Sequence, residues 1–371
     1  MKKYLFMAAV AGLTLTSCSQ EELSVPTAEN NEITFALPVV GKNTRAVTET
    51  GIDYAVEGQE TDEKYDFGVW AKYNNTTSTS TSWTAGQFYI GKDATDDHGV
   101  KASYKSSVSG WAFATPYYWP KNGDLSFIAY APWSVNANAT VTGKGIKFTN
   151  YTVGDAADVD LLFSEVARNK KSSTDEFTTN RYKGVHIQFK HALSSVRFAV
   201  KTAGDYDGTT IKVKNIKVLN AYSVGDFDQG LADNATAETA DGNPCWSGQK
   251  QERSYTAFNS GTPDKEITVE DGDAKYVHNG NTTATTNKTD LILLPQALVH
   301  TGANTVTVEV TYTITSPSGN VLEQVTTLPL SGEWFRGYRY TYKIVFGLDE
   351  IYLDPTVDTW EDVTPSTEVG I

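Results

Sequence analysis

Apolar and polar side chains alternate at a period of two along most of this chain, the pattern of a pleated strand with one face on a core and the other in water. Val306, Val308, Val310, Tyr312 and Ile314 share one face, while Thr305, Thr307, Glu309, Thr311 and Thr313 share the other. Tyr338, Tyr340, Tyr342, Ile344 and Phe346 alternate with Arg339, Thr341 and Lys343; Val185, Ile187 and Phe189 alternate with His186, Gln188 and Lys190. Val196, Phe198 and Val200 repeat the pattern. Turn chemistry separates these runs at Asn122-Gly123, Asp207-Gly208, Asn279-Gly280 and Pro317-Ser318-Gly319-Asn320, which predicts hairpins. Only Asp155 to Asn169 is open to a short helix, and a buried strand over Val159 to Phe163 fits it slightly better. The polar runs Asn74 to Ser82, Lys170 to Asn180 and Thr282 to Thr289 bury no apolar area and read as loops. A chain of 371 residues is too long for one sandwich. Its strands fall into two sets around residue 190, so the expected fold is all-β, two antiparallel β-sandwiches in tandem.

Charge and motifs narrow the function. Lys and Arg number 31 against 45 Asp and Glu, and the net charge of -14 repels phosphate backbones, which argues against nucleic acid. Gly143-Lys144-Gly145 lacks the third glycine of a dinucleotide loop and reads as a tight turn. His186 and His191 are an odd number of residues apart, on opposite faces of one strand, which opposes a shared metal. Asp155, Asp158 and Asp160 lack the glycine and closing glutamate of a calcium loop. Paired carboxylates for glycoside hydrolysis stay open, since a sequence carries no distances. No phosphate loop, HExxH or nucleophile elbow occurs, so the reading is not an enzyme, with no catalytic residue, no metal and no cofactor. Trp111, Phe113, Tyr117, Tyr118, Trp119, Phe127, Tyr130 and Trp133 crowd together and read as core. The alternative is a sugar-stacking platform, in which Trp83 and Trp133 would carry the ligand.

The first residues have the order of an export signal. Met1-Lys2-Lys3 is basic, Tyr4 to Leu15 is apolar but too short to span a bilayer, and Leu15-Thr16-Ser17-Cys18 supplies small residues before a cysteine. Residues 1–17 thus read as a lipoprotein signal peptide and Cys18 as the lipidated mature N-terminus. Cys245 is then left without a disulfide partner, and with methionine only at Met1 and Met7 the mature chain has no Met-lined groove. Ser19-Gln20-Glu21-Glu22 resembles the acidic stretch that Bacteroidales lipoproteins use for display on the cell surface.

Further blocks resemble one family in order along the chain. Tyr117-Tyr118-Trp119-Pro120, Leu125 to Pro132, Asp160-Leu161-Leu162, Phe189 to Ser194, Leu294-Pro295-Gln296 and Trp334 to Tyr342 are similar to the pattern of fimbrillin-like proteins, subunits of Bacteroidales type V pili. The resemblance implies two transthyretin-like sandwiches, a trypsin-like, arginine-specific cut that removes the first strand, and a strand from another subunit that fills the groove. It also implies residence on the outer membrane through the lipid on Cys18, and in the fimbrium after processing. Partners are then other pilus subunits, the protease and, at a tip, a host glycan or protein.

Carried onto this sequence, the removable strand is Glu32 to Val39, with Ile33, Phe35, Leu37 and Val39 on one face. Arg45 is the scissile arginine and Ala46 the new N-terminus. The expected division is a propeptide at 18–45, a first domain at 46–189 and a second at 190–371. Ile351, Leu353, Val357, Trp360 and Val363 are donor-strand candidates in the C-terminal region, with Pro355 expected to mark a bend between two short strands. The alternatives are an anchor that is never cut, or a surface lipoprotein that binds glycans.

Overall fold

The computed structural model describes residues 32–36, 39–40, 66–75, 83, 86–92, 97–108, 110–172, 184–234, 245–277, 290–300, 304–347 and 350–359. Cys18, Leu37, Arg45, Ala46, Trp360 and Val363 lie outside them, as do Asn279-Gly280 and most of the polar runs.

In chain order the strands of the first half are β1 (Thr34–Phe35), β2 (Val39–Val40), β3 (Phe67–Asn74), β4 (Gln87–Ile90), β5 (Val100–Lys105), β6 (Gly110–Phe113), β7 (Asp124–Ala131), β8 (Ala139–Thr142), β9 (Gly145–Thr152), β10 (Leu162–Ser164), β11 (Ala167–Lys170) and β12 (Gln188–His191). The second half adds β13 (Ser194–Thr202), β14 (Thr210–Asp228), β15 (Trp246–Asn259), β16 (Ile267–Val269), β17 (Lys275–Tyr276), β18 (Leu291–Leu293), β19 (Gln296–Ala297), β20 (Thr307–Thr315), β21 (Val321–Pro329), β22 (Glu333–Trp334), β23 (Tyr338–Phe346) and β24 (Ile351–Thr359). The protein is all-β with mainly antiparallel ladders.

The first sheet runs β1-β6-β5-β3-β7-β10-β12-β2, with β4 on β3 and β11 on β7. A second sheet runs β17-β13-β23-β24, and a third runs β21-β20-β14-β9-β8. The third sheet therefore takes the hairpin β8–β9, from before residue 190, onto the long strand β14, with Val224 opposite Thr152 and Phe227 opposite Phe148.

Strand alternation places the cores. On β3, Val69 and Ala71 enter one apolar cluster and Trp70 enters another; on β7, Phe127 and Ala129 divide from Ile128 and Tyr130 in the same way. Side chains of successive residues point to opposite faces, so these two strands are buried on both. The first cluster fills the first sheet around Phe35, Phe67, Phe113, Phe127 and Phe189. The second joins the back of β3 and β7 to β9 and to the second and third sheets, around Phe148, Phe198, Val218, Trp334 and Tyr342.

Several expectations change here. Of the described turns, Pro317 to Asn320 closes a true hairpin, with Thr315 opposite Val321. Asp207-Gly208 instead carries the chain from the second sheet to the third, and Asn122-Gly123 joins β6 to β7, which are not neighbours. Turn residues set a local reversal, whereas long-range pairing decides whether the flanking strands stay together. Asp155 to Asn169 does turn to strand, but β10 starts only at Leu162 and β11 follows at Ala167, and Val159 is exposed. The tail is one unbroken strand rather than two, with Pro355 opposite Tyr342. An edge strand needs ladder donors on only one side, which is why it tolerates proline.

Candidate functional site

Residues 32–36 and 39–40 join both ends of the first sheet. On one side Thr34 pairs antiparallel with Ala112 and Phe35 with Trp111, while Glu32 bridges Tyr118. On the other side Phe35 bridges Val185 in parallel, and Val39 and Val40 pair in parallel with Gln188 and Phe189. The Ile33 amide donates to the Tyr117 carbonyl at 2.8 Å, the Val185 amide to Thr34 at 2.8 Å, and the Ala36 amide to Val185 at 3.0 Å. One short segment thus closes what would otherwise be two open edges, and closure removes the unpaired backbone groups an edge presents.

Side chains anchor the closure. Ile33 and Phe35 are fully buried, and Thr34 between them is half-buried on the other face. The Phe35 ring meets Phe67, Phe113 and Phe127 edge-on, with centroids 5.5, 5.4 and 5.7 Å away. Edge-to-face contacts of this kind set a ring's position more strictly than bulk apolar packing does. Gly184 lets the chain approach: its φ is +140°, and a Cβ there would lie 2.7 Å from backbone atoms of Thr34 and Phe35. Beside the segment, the Tyr89 hydroxyl donates to the Tyr118 carbonyl at 2.7 Å, and burial pushes its pKa up. Of the four residues expected on the buried face, Ile33 and Phe35 are there, the backbone of Val39 is paired, and Leu37 is not described. Tyr117, Gly184 and Val185 had no signal as partners of this strand, because strand patterning records which face is buried and not which strand lies alongside.

Three of the C-terminal candidates fall on β24. It pairs along its whole length with β23, from Ile351 opposite Phe346 to Thr359 opposite Tyr338, and it is the edge of its sheet. Ile351 and Leu353 are half-buried against the second core, while Tyr352 and Val357 are exposed. In the arrangement described, β24 is the last strand of its own sheet, held by one ladder and little apolar contact.

The aromatic cluster is largely interior. Trp111, Phe113, Trp119, Phe127 and Tyr130 are buried, Trp83 is 5% exposed with its indole N–H on the Thr142 carbonyl, and Trp133 stacks half-buried on Tyr130. Other blocks knit the sheets together. His191 Nδ1 lies 2.6 Å from Asp160 Oδ2, the Trp246 indole donates to Ala192, and Ser194 Oγ donates to Phe335. Gln296 accepts from the Tyr222 amide and donates back to its carbonyl, and the Trp334 indole donates to the Tyr342 hydroxyl at 2.9 Å. Arg339 Nε donates to Asp290 at 2.9 Å. These contacts tie strand ends into fixed positions.

Comparison with known proteins bears on the fold and on the family. A fimbrial protein from Bacteroides vulgatus has a similar solved structure, with 16% identity, coverage of 89% of this chain and all of that one, and a TM-score of 0.53, a likeness of fold. A protein from Bacteroides uniformis described as a candidate cell adhesion protein matches at 13% identity over 90% of this chain and 100% of that one, with a TM-score of 0.42. No curated protein matches the chain. The family described as fimbrillin-like matches residues 44–360. The chain therefore belongs to the fimbrillin-like family, a family of fimbrial proteins rather than of enzymes.

Proposed function

We propose that this protein is a structural pilus subunit, exported as a lipoprotein on Cys18, cut after Arg45 and polymerised by strand exchange. The observation that carries the reading is the closure of the first sheet by residues 32–36 and 39–40, whose backbone pairs with β6 on one side and with residues 185–189 on the other. Excision of a segment in that position opens two edges at once. It also bares the pocket of Phe67, Phe113 and Phe127 around the site of Phe35. Full burial of Ile33 and Phe35 is worth roughly 3–6 kcal/mol together. An incoming strand that alternates apolar and polar residues supplies both the ladder and the knobs, the β-augmentation mode of recognition.

The donor in this reading comes from the C-terminal region, with Ile351, Leu353, Val357, Trp360 and Val363 as its apolar positions. Support comes from the asymmetry between the two elements. Two half-buried aliphatics hold β24 by roughly 1.5–3 kcal/mol of apolar burial, less than the closing segment gains in the first core. A strand at the sheet edge leaves by breaking one ladder and uncovering only the patch under Ile351 and Leu353. The lipid anchor in the outer membrane and the arginine-specific protease belong to the same proposal, as does the domain division at 189/190, across which β12 runs and the hairpin β8–β9 reaches to join β14.

Limited trypsin treatment of the purified precursor tests it. The expected product begins at Ala46 and forms ladders that resist heat in detergent, whereas Arg45→Ala keeps its fold and forms none. A product cut after Arg45 that stays monomeric refutes strand exchange and leaves the uncut-anchor reading.

A further inference from the structure

The third sheet ends in a second strand edge, unconnected with the closing segment. Strand β21 has β20 on one side, and among the described residues nothing pairs with its other side. Its ladder with β20 is in register over all nine residues without a bulge, from Thr307 opposite Pro329 to Thr315 opposite Val321. Natural sheets protect such an edge with lysines, a central proline, a bulge or an inward-pointing charge. β21 (VLEQVTTLP) has no lysine, and its proline is its last residue. Its one ionisable group, Glu323, is held by Lys214 Nζ at 2.6 Å. Val321, Leu322 and Val325 are 65%, 57% and 59% exposed, which concentrates apolar surface on this one strand.

We infer that the β21 edge is a self-association surface, on which a second copy of this chain pairs its own β21 antiparallel about a two-fold axis at Val325. The sequence of the strand selects that register. Centred on Val325, Leu322 lies opposite Leu328, Gln324 opposite Thr326, Glu323 opposite Thr327, and Val325 opposite itself. Centred on Glu323, two carboxylates meet; centred on Gln324, each Val325 faces a Glu323. Directly opposed residues must point to the same face of a sheet, so axes between residues are not available. Val325 shares the outer face with Glu323 and Thr327, opposite Thr311, Thr313 and Glu309 of β20, so pairing joins two solvent-side surfaces and leaves the core untouched. Two chains of net charge -14 repel one another at long range, so the pairing strengthens as salt rises. The surface does not depend on strand exchange, and the test uses a chain that cannot be cut.

In the full chain carrying Cys18→Ala and Arg45→Ala, buried Cys245 is the remaining native cysteine. Opposed residues of an antiparallel pair have Cα atoms about 4.5–5.5 Å apart, within disulfide range. Oxidised Val325→Cys is expected to give a covalent dimer, whereas Leu322→Cys, six residues out of register with its own copy, gives at least tenfold less. Sedimentation equilibrium of the background chain is expected to show a dimer favoured by salt, and Val325→Lys to abolish it while circular dichroism stays unchanged. A background chain that stays monomeric at all salt concentrations overturns the inference. Equal cross-linking at positions 322 and 325, or a dimer indifferent to Val325→Lys, overturns it as well.

Discussion

Replacing Phe35 by alanine in the uncut chain removes the ring that the first core closes around. Phe35 is fully buried, with three phenylalanine rings edge-on at centroid distances of 5.4 to 5.7 Å. Core Phe→Ala changes cost about 3–5 kcal/mol, combining lost transfer free energy with the cavity left behind. A pocket lined by other rings, held in place by their own strands, collapses poorly, which puts the expectation near the top of that range, about 4–5 kcal/mol. With a urea slope of about 2 kcal/mol/M, the unfolding midpoint of the first core falls by about 2 M. The assay is urea unfolding of the Arg45→Ala chain followed by near-ultraviolet circular dichroism, with Thr34→Ala as the control on the half-buried face, expected within about 1 kcal/mol. A Phe35→Ala midpoint lowered by less than about 0.5 M refutes the reasoning, because the segment is then a surface strap and its removal opens nothing.

Gly184→Ala places a Cβ 2.7 Å from the backbone of Thr34 and Phe35 at a φ of +140°, so the closing segment is displaced. Limited proteolysis within residues 32–45 is expected to accelerate at least several-fold over wild type, and an unchanged rate contradicts the close approach. Alkali is expected to destabilise the second core, because burial pushes the pKa of Tyr255, Tyr340 and Tyr342 each up to about 12. The unfolded phenol titrates near 10, so above that pH the unfolded chain binds fewer protons than the folded one. The stability these residues contribute is complete below pH ~10 and is lost as pH rises to ~12. Stability that is flat across that window contradicts their burial.

What the sequence reveals of this fold follows from what alternation encodes. The faces of β20 and β23 were legible, since Val308, Val310, Tyr340 and Ile344 are buried where the period of two puts them. Partners were not legible. The eight-residue parallel pairing of β13 with β23 joins residues near 195 to residues near 339, and the β9 pairing with β14 crosses the chain's midpoint. Both depend on contacts distant in sequence, and an apolar face fits any neighbour that buries it. The closing segment was half legible: Ile33 and Phe35 announced a buried face, but not that β6 lies on one side of the segment and residues 185–189 on the other. The Asn-Gly and Asp-Gly pairs announced reversals without saying which sheet the chain would enter next.

The central claim is that the first sheet is closed by residues 32–40 and is closed again from outside once they are gone. The Val185 amide reports on it directly, since it donates to Thr34 at 2.8 Å. Hydrogen exchange at Val185 should be slow in the precursor, fast in a chain cut after Arg45 and freed of its leading segment, and slow again in the multimer. Exchange that stays slow after the segment is removed, or stays fast in the multimer, contradicts the account.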